Sequence, residues 1–182
     1  MNINIERDYE AVSRKAARII AREILERKEP VLGLPTGETP EGTYSILVSY
    51  YENQILDFSR VSTFNLDEYY PISRDDSRSF TRYMEERFFN KIDIPEKNVH
   101  IPDGTIPRGK VDDYCKEYEK KITAEGGLDL LILGIGENGH IGFNEPGEGF
   151  DTRTRLVNLS EETRKTNFAD PDKSPDQAIT MG

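Results

Sequence analysis

Cysteine is nearly absent from the chain: Cys115 stands alone among 182 residues. That excludes an internal disulfide and makes a reducing cytoplasm the default compartment. Histidine is almost as scarce, with only His100 and His140, so a zinc site would have few borderline-soft ligands to draw on. No apolar run approaches the length of a membrane span, and Met1-Asn-Ile-Asn-Ile-Glu-Arg7 does not read as a signal peptide. Positive charge is also in deficit. Lys and Arg number 24 against 34 Asp and Glu, a net charge of -10, which argues against nucleic acid as a main partner. An anionic ligand would need a local cradle of donors.

What is present suits one domain with a real core. Hydrophobic residues make up 35% of the chain and charged residues 32%, and the length fits a single unit over 1–182. Ile5, Tyr9, Val12, Ala16, Ile19, Ile20 and Ile24 recur at helical spacing and predict a long amphipathic helix ending before Pro30. Val31 to Leu34 reads as a short buried strand. In the turn-rich loop Pro35 to Pro40, Thr39 is placed as N-cap and Pro40 as the first helical residue. Tyr44, Leu47, Val48 and Tyr51 then form a helical stripe. Val61 to Leu66 is extended and delivers Asp67-Glu-Tyr-Tyr70 at its end, and Pro71 to Arg78 reads as a polar surface loop.

Phe80, Tyr83, Met84, Arg87 and Phe88 mark a third helix whose aromatics are assigned to the core. Val99 to Ile101 is a short strand, and His100 within it is read as a packing or solvated group. Val111, Tyr114, Cys115, Tyr118 and Ile122 mark a fourth helix. Leu130 to Leu133 has the continuous apolar character of a parallel strand buried on both faces. Arg153 to Leu159 is extended, Ser160-Glu-Glu-Thr163 starts a helix, and 168–175 is loop. Helices alternating with buried strands indicate an α/β fold, a three-layer sandwich around a mostly parallel sheet.

Two loops at strand ends carry the chemistry, and in such sheets those ends converge. The first is Thr36-Gly37-Glu38-Thr39, where free N–H groups and a helix N-terminus favour phosphate. It is not a Walker A loop, because no Gly-Lys-Ser/Thr follows. The second is Gly134-Ile-Gly-Glu-Asn-Gly-His140, which leads to Glu145. Its spacing matches G-x-G-x-x-G, and Glu161 lies about 20 residues on, where a ribose-binding acid belongs. The dinucleotide reading fails because Ile141 to Gly149 holds three glycines and a proline and cannot form the required helix.

Nothing in the spacing of Asp67, His140 and Glu145 demands a metal, and Cys115 in mid-helix is poorly placed for covalent chemistry. Acid–base work on a phosphorylated small molecule remains. His140 shuttles protons near neutral pH, Glu145 holds its tautomer, and Asp67 with a raised pKa abstracts a carbon-bound proton. That division suits an aldose–ketose isomerisation.

With those residues identified, the chain resembles the glucosamine-6-phosphate deaminase family over essentially its whole length. The resemblance is carried by Gly33-Leu-Pro-Thr-Gly-Glu-Thr-Pro40, Phe64-Asn-Leu-Asp-Glu-Tyr69, Gly134-Ile-Gly-Glu-Asn-Gly-His-Ile-Gly-Phe-Asn-Glu-Pro146 and Ser160-Glu-Glu-Thr-Arg164. It implies a Rossmann-like α/β sandwich that converts glucosamine 6-phosphate and water to fructose 6-phosphate and ammonia, with no metal and no organic cofactor. It implies Asp67 as the base at C2 and His140 as the ring-opening acid/base, supported by Glu145 and Asn138. Thr36, Gly37, Glu38, Thr39 and Gly136 fall on the substrate and phosphate loops.

The partner is thus a small sugar phosphate, with no nucleic acid or membrane, and a homo-oligomer is the family default. A sister galactosamine-6-phosphate enzyme and a non-catalytic sugar-phosphate-binding module are the alternative readings. The sequence departs from the family pattern at several places. Glu38 stands where Gly or Ser is usual, Thr166 to Asp170 lacks the lid arginine, and family members continue past Gly182 to a phosphate-binding lysine. The chain is therefore expected to be a fragment, or a short paralogue completed by a partner. Arg155 matches a position used by allosteric members, but Val157 and Glu148 replace a lysine and a serine. Comparable activation by N-acetylglucosamine 6-phosphate is not expected.

Overall fold

A computed structural model describes residues 2–168 and 174–182. Its centre is β1 (Val31–Leu34), buried along its whole length. In a strand alternate side chains face opposite ways, and here both faces are covered. Leu32 and Leu34 pack with Ala17, Ile20 and Ile24 of α1 (Tyr9–Glu26), Tyr44 and Leu47 of α2 (Glu41–Glu52) and Met84 of α3 (Phe80–Arg87). Val31 faces the other way, joining Phe64 and Tyr118 of α4 (Val111–Ala124). Each such fully buried side chain contributes roughly 1.5–3 kcal/mol. Beside β1 lie β2 (Ser62–Asn65), then β4 (Val99–His100), and on its other side β5 (Leu130–Leu131). All pair in parallel. Helices on both faces of a parallel sheet make the three-layer α/β sandwich expected of the sequence. Cys115 is buried on α4 as a small apolar group.

The element the sequence did not announce is a second sheet. Asp67-Glu-Tyr-Tyr70 is itself a strand, β3 (Asp67–Tyr70), fully buried. It pairs antiparallel with β7 (Gln177–Thr180), which pairs antiparallel with β6 (Arg155–Asn158). The chain crosses from one sheet to the other at Leu66. The Leu66 N–H still donates to Leu34 of β1 at 3.3 Å, while its carbonyl accepts from Met181 beyond β7 at 2.8 Å. Local composition gives no hint of this strand, because its partners are distant in the chain.

Three further readings are corrected. In α1 the buried stripe is Ser13, Ala17, Ile20, Ala21 and Ile24, while Tyr9, Val12 and Ile19 are exposed. Small residues take the inner face because α2 crosses closely there: a Cβ on Gly42 would lie 2.5 Å from Ser13 Oγ. Helix α2 starts at Glu41 with Pro40 in the cap position and no side-chain cap, so Thr39 does not cap it. Finally, β5 is short and lies at the sheet edge, where Leu131 and Leu133 are exposed instead of buried on both faces. Helix α5 (Glu161–Asn167) does start as read, with the Ser160 side chain accepting from the Thr163 N–H. Of the expected loop 168–175, residues 169–173 lie outside the described residues.

Candidate active site

The parallel strands and β3 deliver their polar groups to one cavity of about 810 Å³. Its wall includes Thr36, Gly37, Glu38 and Thr39 after β1, Asp67 and Tyr69 of β3, and Gly134, Gly136 and His140 after β5. Thus the loops picked out in the sequence do converge. A second depression of about 680 Å³, lined by Glu68, Arg74, Glu85 and Asp103, lies on the other face of β3 and contains none of these groups.

Asp67 is 7% exposed, and among the described residues its carboxylate has no hydrogen-bond partner. Burial, reinforced by the neighbouring Glu68 charge, pushes its carboxyl up to about 7. Glu68 is treated differently. Its carboxylate accepts from the N–H groups of Phe80 and Thr81 and the Ser79 hydroxyl at the start of α3, and from the Tyr69 N–H. Burial still lifts the Glu68 carboxyl, with those donors opposing it. Helix N-termini suit carboxylates, so Glu68 anchors α3 to β3 while Asp67 faces the cavity.

The histidine turn is built on glycine. The Gly136 N–H donates to the His140 carbonyl at 2.9 Å, and Gly139 closes the turn at a φ of 91°. The imidazole lies over Gly136, where a Cβ would be 2.1 Å from His140 Cε1. Behind the ring, Asn138 Oδ1 accepts from the His140 N–H at 3.0 Å and meets Nδ1 at 2.7 Å. Asn138 Nδ2 donates to Glu145 Oε2 at 2.8 Å, and the Thr163 hydroxyl donates to Glu145 Oε1 at 2.9 Å. A carboxylate only accepts, so the amide nitrogen must face Glu145 and the amide oxygen must face the ring. Nδ1 therefore carries the proton, and Nε2 is the acceptor.

Among the described residues Glu145 makes no hydrogen bond to His140 itself. It orients Asn138, which sets the tautomer, and neither Asn138 nor Glu145 lines the cavity. Burial works to raise the Glu145 carboxyl, but hydrogen bonds from Thr163, Asn138 and Ser160, with His140 nearby, hold it below the usual range. Further on, Asn144 Nδ2 donates to the carbonyls of Ile141 and Met181, pinning the segment to the end of β7.

Several groups in the wall were not singled out in the sequence. Phe80 and Tyr83, assigned to the core, face the cavity, as do Phe143, Asn167 and Phe168. Asn167 and Phe168 occupy the stretch that lacks the lid arginine. Ser77 and Arg78 come from the stretch read as a surface loop. Arg78 is the one cation in the wall among the described residues, and it grips Asp76 through Nε and Nη2, holding that carboxyl down at about 2. Only the charge deficit of the chain pointed to a need for it. Glu38 is exposed at the rim. His100 packs on Phe64 with ring centroids 4.4 Å apart, as its packing role requires. Among the described residues no group of three or more His, Cys, Asp or Glu is arranged to hold a metal, and no helix is long and apolar enough to cross a membrane.

Comparison with known proteins gives a consistent set of relatives. The family described as glucosamine-6-phosphate isomerases/6-phosphogluconolactonase matches residues 6–181. Glucosamine-6-phosphate deaminase of Clostridium botulinum (strain Loch Maree / Type A3) is 46% identical over 185 residues, spanning 100% of this chain and 75% of its own length. The enzyme of that name from Shouchella clausii (strain KSM-K16) is also 46% identical, over 100% and 74%. A solved monomeric glucosamine-6-phosphate deaminase of the NagB superfamily superposes with a TM-score of 0.96 at 44% identity, over 100% of this chain and 76% of its own. 6-Phosphogluconolactonase from Thermotoga maritima gives 0.71 at 26% identity, over 97% and 74%.

Proposed function

This chain belongs to the glucosamine-6-phosphate isomerase/6-phosphogluconolactonase family, and on that footing we propose that it converts glucosamine 6-phosphate and water to fructose 6-phosphate and ammonia. The observation that carries this reading is Asp67, a buried carboxylate without hydrogen-bond donors among the described residues, which shares a cavity with His140 and the loop after β1. Hydrolysis of a lactone requires no group to lift a proton from carbon. An isomerisation does, and a base whose pKa lies near neutrality suits that step.

His140 Nε2 takes the proton of the C1 hydroxyl and returns it to the ring oxygen as the C1–O bond to the ring breaks. Asp67 then removes the C2 proton from the open chain. The electron pair forms a C1=C2 double bond, and the aldehyde oxygen takes a proton from solvent. Asp67 then delivers the proton it took from C2 to C1, which leaves an iminium at C2. Water adds there, and ammonia departs as the ketone forms. The loop Thr36 to Thr39 holds the phosphate, and Gly136 leaves room for the imidazole at the cavity wall. The substrate is a free small molecule. We place the reaction in the cytoplasm, on the reducing compartment implied by a lone buried thiol.

Residues 1–182 are read as a single sugar-phosphate isomerase/deaminase domain. Activation by N-acetylglucosamine 6-phosphate is not part of the proposal: the Arg155 guanidinium is already engaged by Asn144 and by Glu148 at 3.0 Å.

The test is formation of ammonia and fructose 6-phosphate from glucosamine 6-phosphate, with Asp67→Asn as control. Turnover that falls about 10²–10⁴-fold in the variant supports the assignment. A folded wild-type chain that binds substrate without turnover would leave a binding module instead. Faster release of ammonia from galactosamine 6-phosphate would reassign the C4 epimer.

A further inference from the structure

Three tyrosines, each from a different helix, hold the loop after β1 by its carbonyl oxygens. The Tyr44 hydroxyl of α2 donates to the Pro35 carbonyl at 2.5 Å. The Tyr83 hydroxyl of α3 donates to the Gly37 carbonyl at 2.6 Å. From α1, the Tyr9 hydroxyl donates to the Glu38 carbonyl at 3.1 Å while accepting the Gly42 N–H at 2.8 Å. That second bond occupies the Tyr9 oxygen as an acceptor, so its proton is committed to Glu38.

A trans peptide places the C=O of one residue and the N–H of the next on opposite sides of one rigid plane. Tying the carbonyls of Pro35, Gly37 and Glu38 to the helices therefore turns the N–H groups of Thr36, Glu38 and Thr39 the other way. Among the described residues those three N–H groups donate to no protein acceptor. Residues 36–39 line the cavity that holds Asp67 and His140. Gly37 has a φ of 103°, which lets the chain reverse between the anchored planes. Gly42 makes room for the anchor itself, since a Cβ there would be 3.0 Å from the Tyr9 ring and hydroxyl.

We infer that Tyr9, Tyr44 and Tyr83 are positioning residues for phosphate binding, their hydroxyls fixing three peptide planes so that backbone N–H groups converge on the phosphate of the sugar substrate. The inference rests on the reading of the cavity as a sugar-phosphate site and adds how the site recognises its anion. Oriented backbone amides form anion-binding concavities without a formal charge. Here they supply donors in a cavity wall whose single described cation, Arg78, is shared with Asp76. A preset array also avoids the ordering cost of free donors.

The test uses Tyr9→Phe, Tyr83→Phe and the double variant, read by thermal melting, by kinetics with glucosamine 6-phosphate and by calorimetric titration with inorganic phosphate. Tyr9 is 53% exposed, so Tyr9→Phe keeps the fold intact even if Tyr83→Phe loosens α3. Each single change is expected to raise KM and the Kd of inorganic phosphate about three- to tenfold, the double variant more, with a smaller change in kcat. General loosening of the fold would instead lower kcat and melting temperature together. A double variant that keeps the wild-type Kd for phosphate overturns the inference, as does a wild-type chain that binds no phosphate. Weakened phosphate binding in a chain that never turns over the sugar would support the inference while rejecting the deaminase assignment.

Discussion

Asp67 and Glu68 are consecutive residues of one buried strand, and they are given opposite electrostatic surroundings. Glu68 receives hydrogen bonds from the first turn of α3, while Asp67 receives none from the described residues and takes the repulsion of Glu68 in addition. The strand pleat separates them onto two faces. One carboxylate holds the structure together, and the other is left basic.

Glu68→Gln is therefore expected to move the acidic limb of kcat/KM toward lower pH by about half to one pH unit. Removing the neighbouring charge makes Asp67 easier to ionise, but burial remains and keeps it above an ordinary carboxyl. The same change weakens the anchoring of α3, at a cost of about 1–3 kcal/mol in chemical denaturation. An acidic limb that stays in place would show that Glu68 does not set the basicity of Asp67.

Asp67→Asn should stabilise the protein while lowering turnover about 10²–10⁴-fold. The folded pKa of about 7 exceeds the ordinary value of 3.8, so the folded state binds the proton more tightly than the unfolded chain. Its contribution to stability is fully present below about pH 4 and is lost as pH rises through 7. The amide escapes that loss. At pH 8 the variant is expected to gain on the order of 2–4 kcal/mol over wild type, and little at pH 4. Equal stability differences at both pH values, measured by denaturant titration, would contradict the raised pKa.

Gly136→Ala tests the seat of the imidazole. The added methyl would lie 2.1 Å from His140 Cε1, so the ring must move. A displacement near 1 Å costs on the order of 10²-fold in kcat. The turn is largely solvent-exposed, so the melting temperature should change little. Retention of wild-type kcat would mean that the ring position is not tied to catalysis.

The two histidines should separate cleanly under substitution. His100 is half-buried, and burial with Lys121 nearby keeps its imidazole below the usual range. Stacking on Phe64 is its visible contact, and a phenyl ring preserves it. His100→Phe is expected to leave kcat within about twofold and the melting temperature equal or higher. A loss beyond tenfold would assign His100 a part in the reaction.

Much of the site was legible where the signal is local. Val31 to Leu34 followed by Thr36-Gly37 shows a buried strand and a turn within a few residues, and Ser160 with Thr163 shows a helix start the same way. The glycines around His140 pointed to close backbone approach, which the ring over Gly136 displays. Legibility failed where the cause is distant. Asp67-Glu-Tyr-Tyr70 is a strand only because β7 pairs with it and α3 accommodates Glu68. Tyr9, Tyr44 and Tyr83 occupy ordinary positions in three helical patterns, and nothing in those patterns shows that their hydroxyls meet on one loop. In α1 the apolar periodicity was real but its phase was wrong, because crossing α2 selects Ser13 and Ala17 for closeness over Val12 and Ile19 for hydrophobicity.

The pairing of Asp67 with Thr180 has a consequence for the order of folding. Sheet pairings that close long stretches of chain form slowly. The core around β1, β2, α1 and α2 draws on residues close in sequence, whereas β3 must wait for β7. In pulsed hydrogen exchange during refolding, amides of β1 and β2 are expected to gain protection before those of β3 and β7. A chain emerging from the ribosome is thus expected to form the strand β1 and its following loop before the strand that carries Asp67 is paired. The loop after β1 and the carboxylate of Asp67 thus belong to parts of the chain that mature at different times, although they face one cavity.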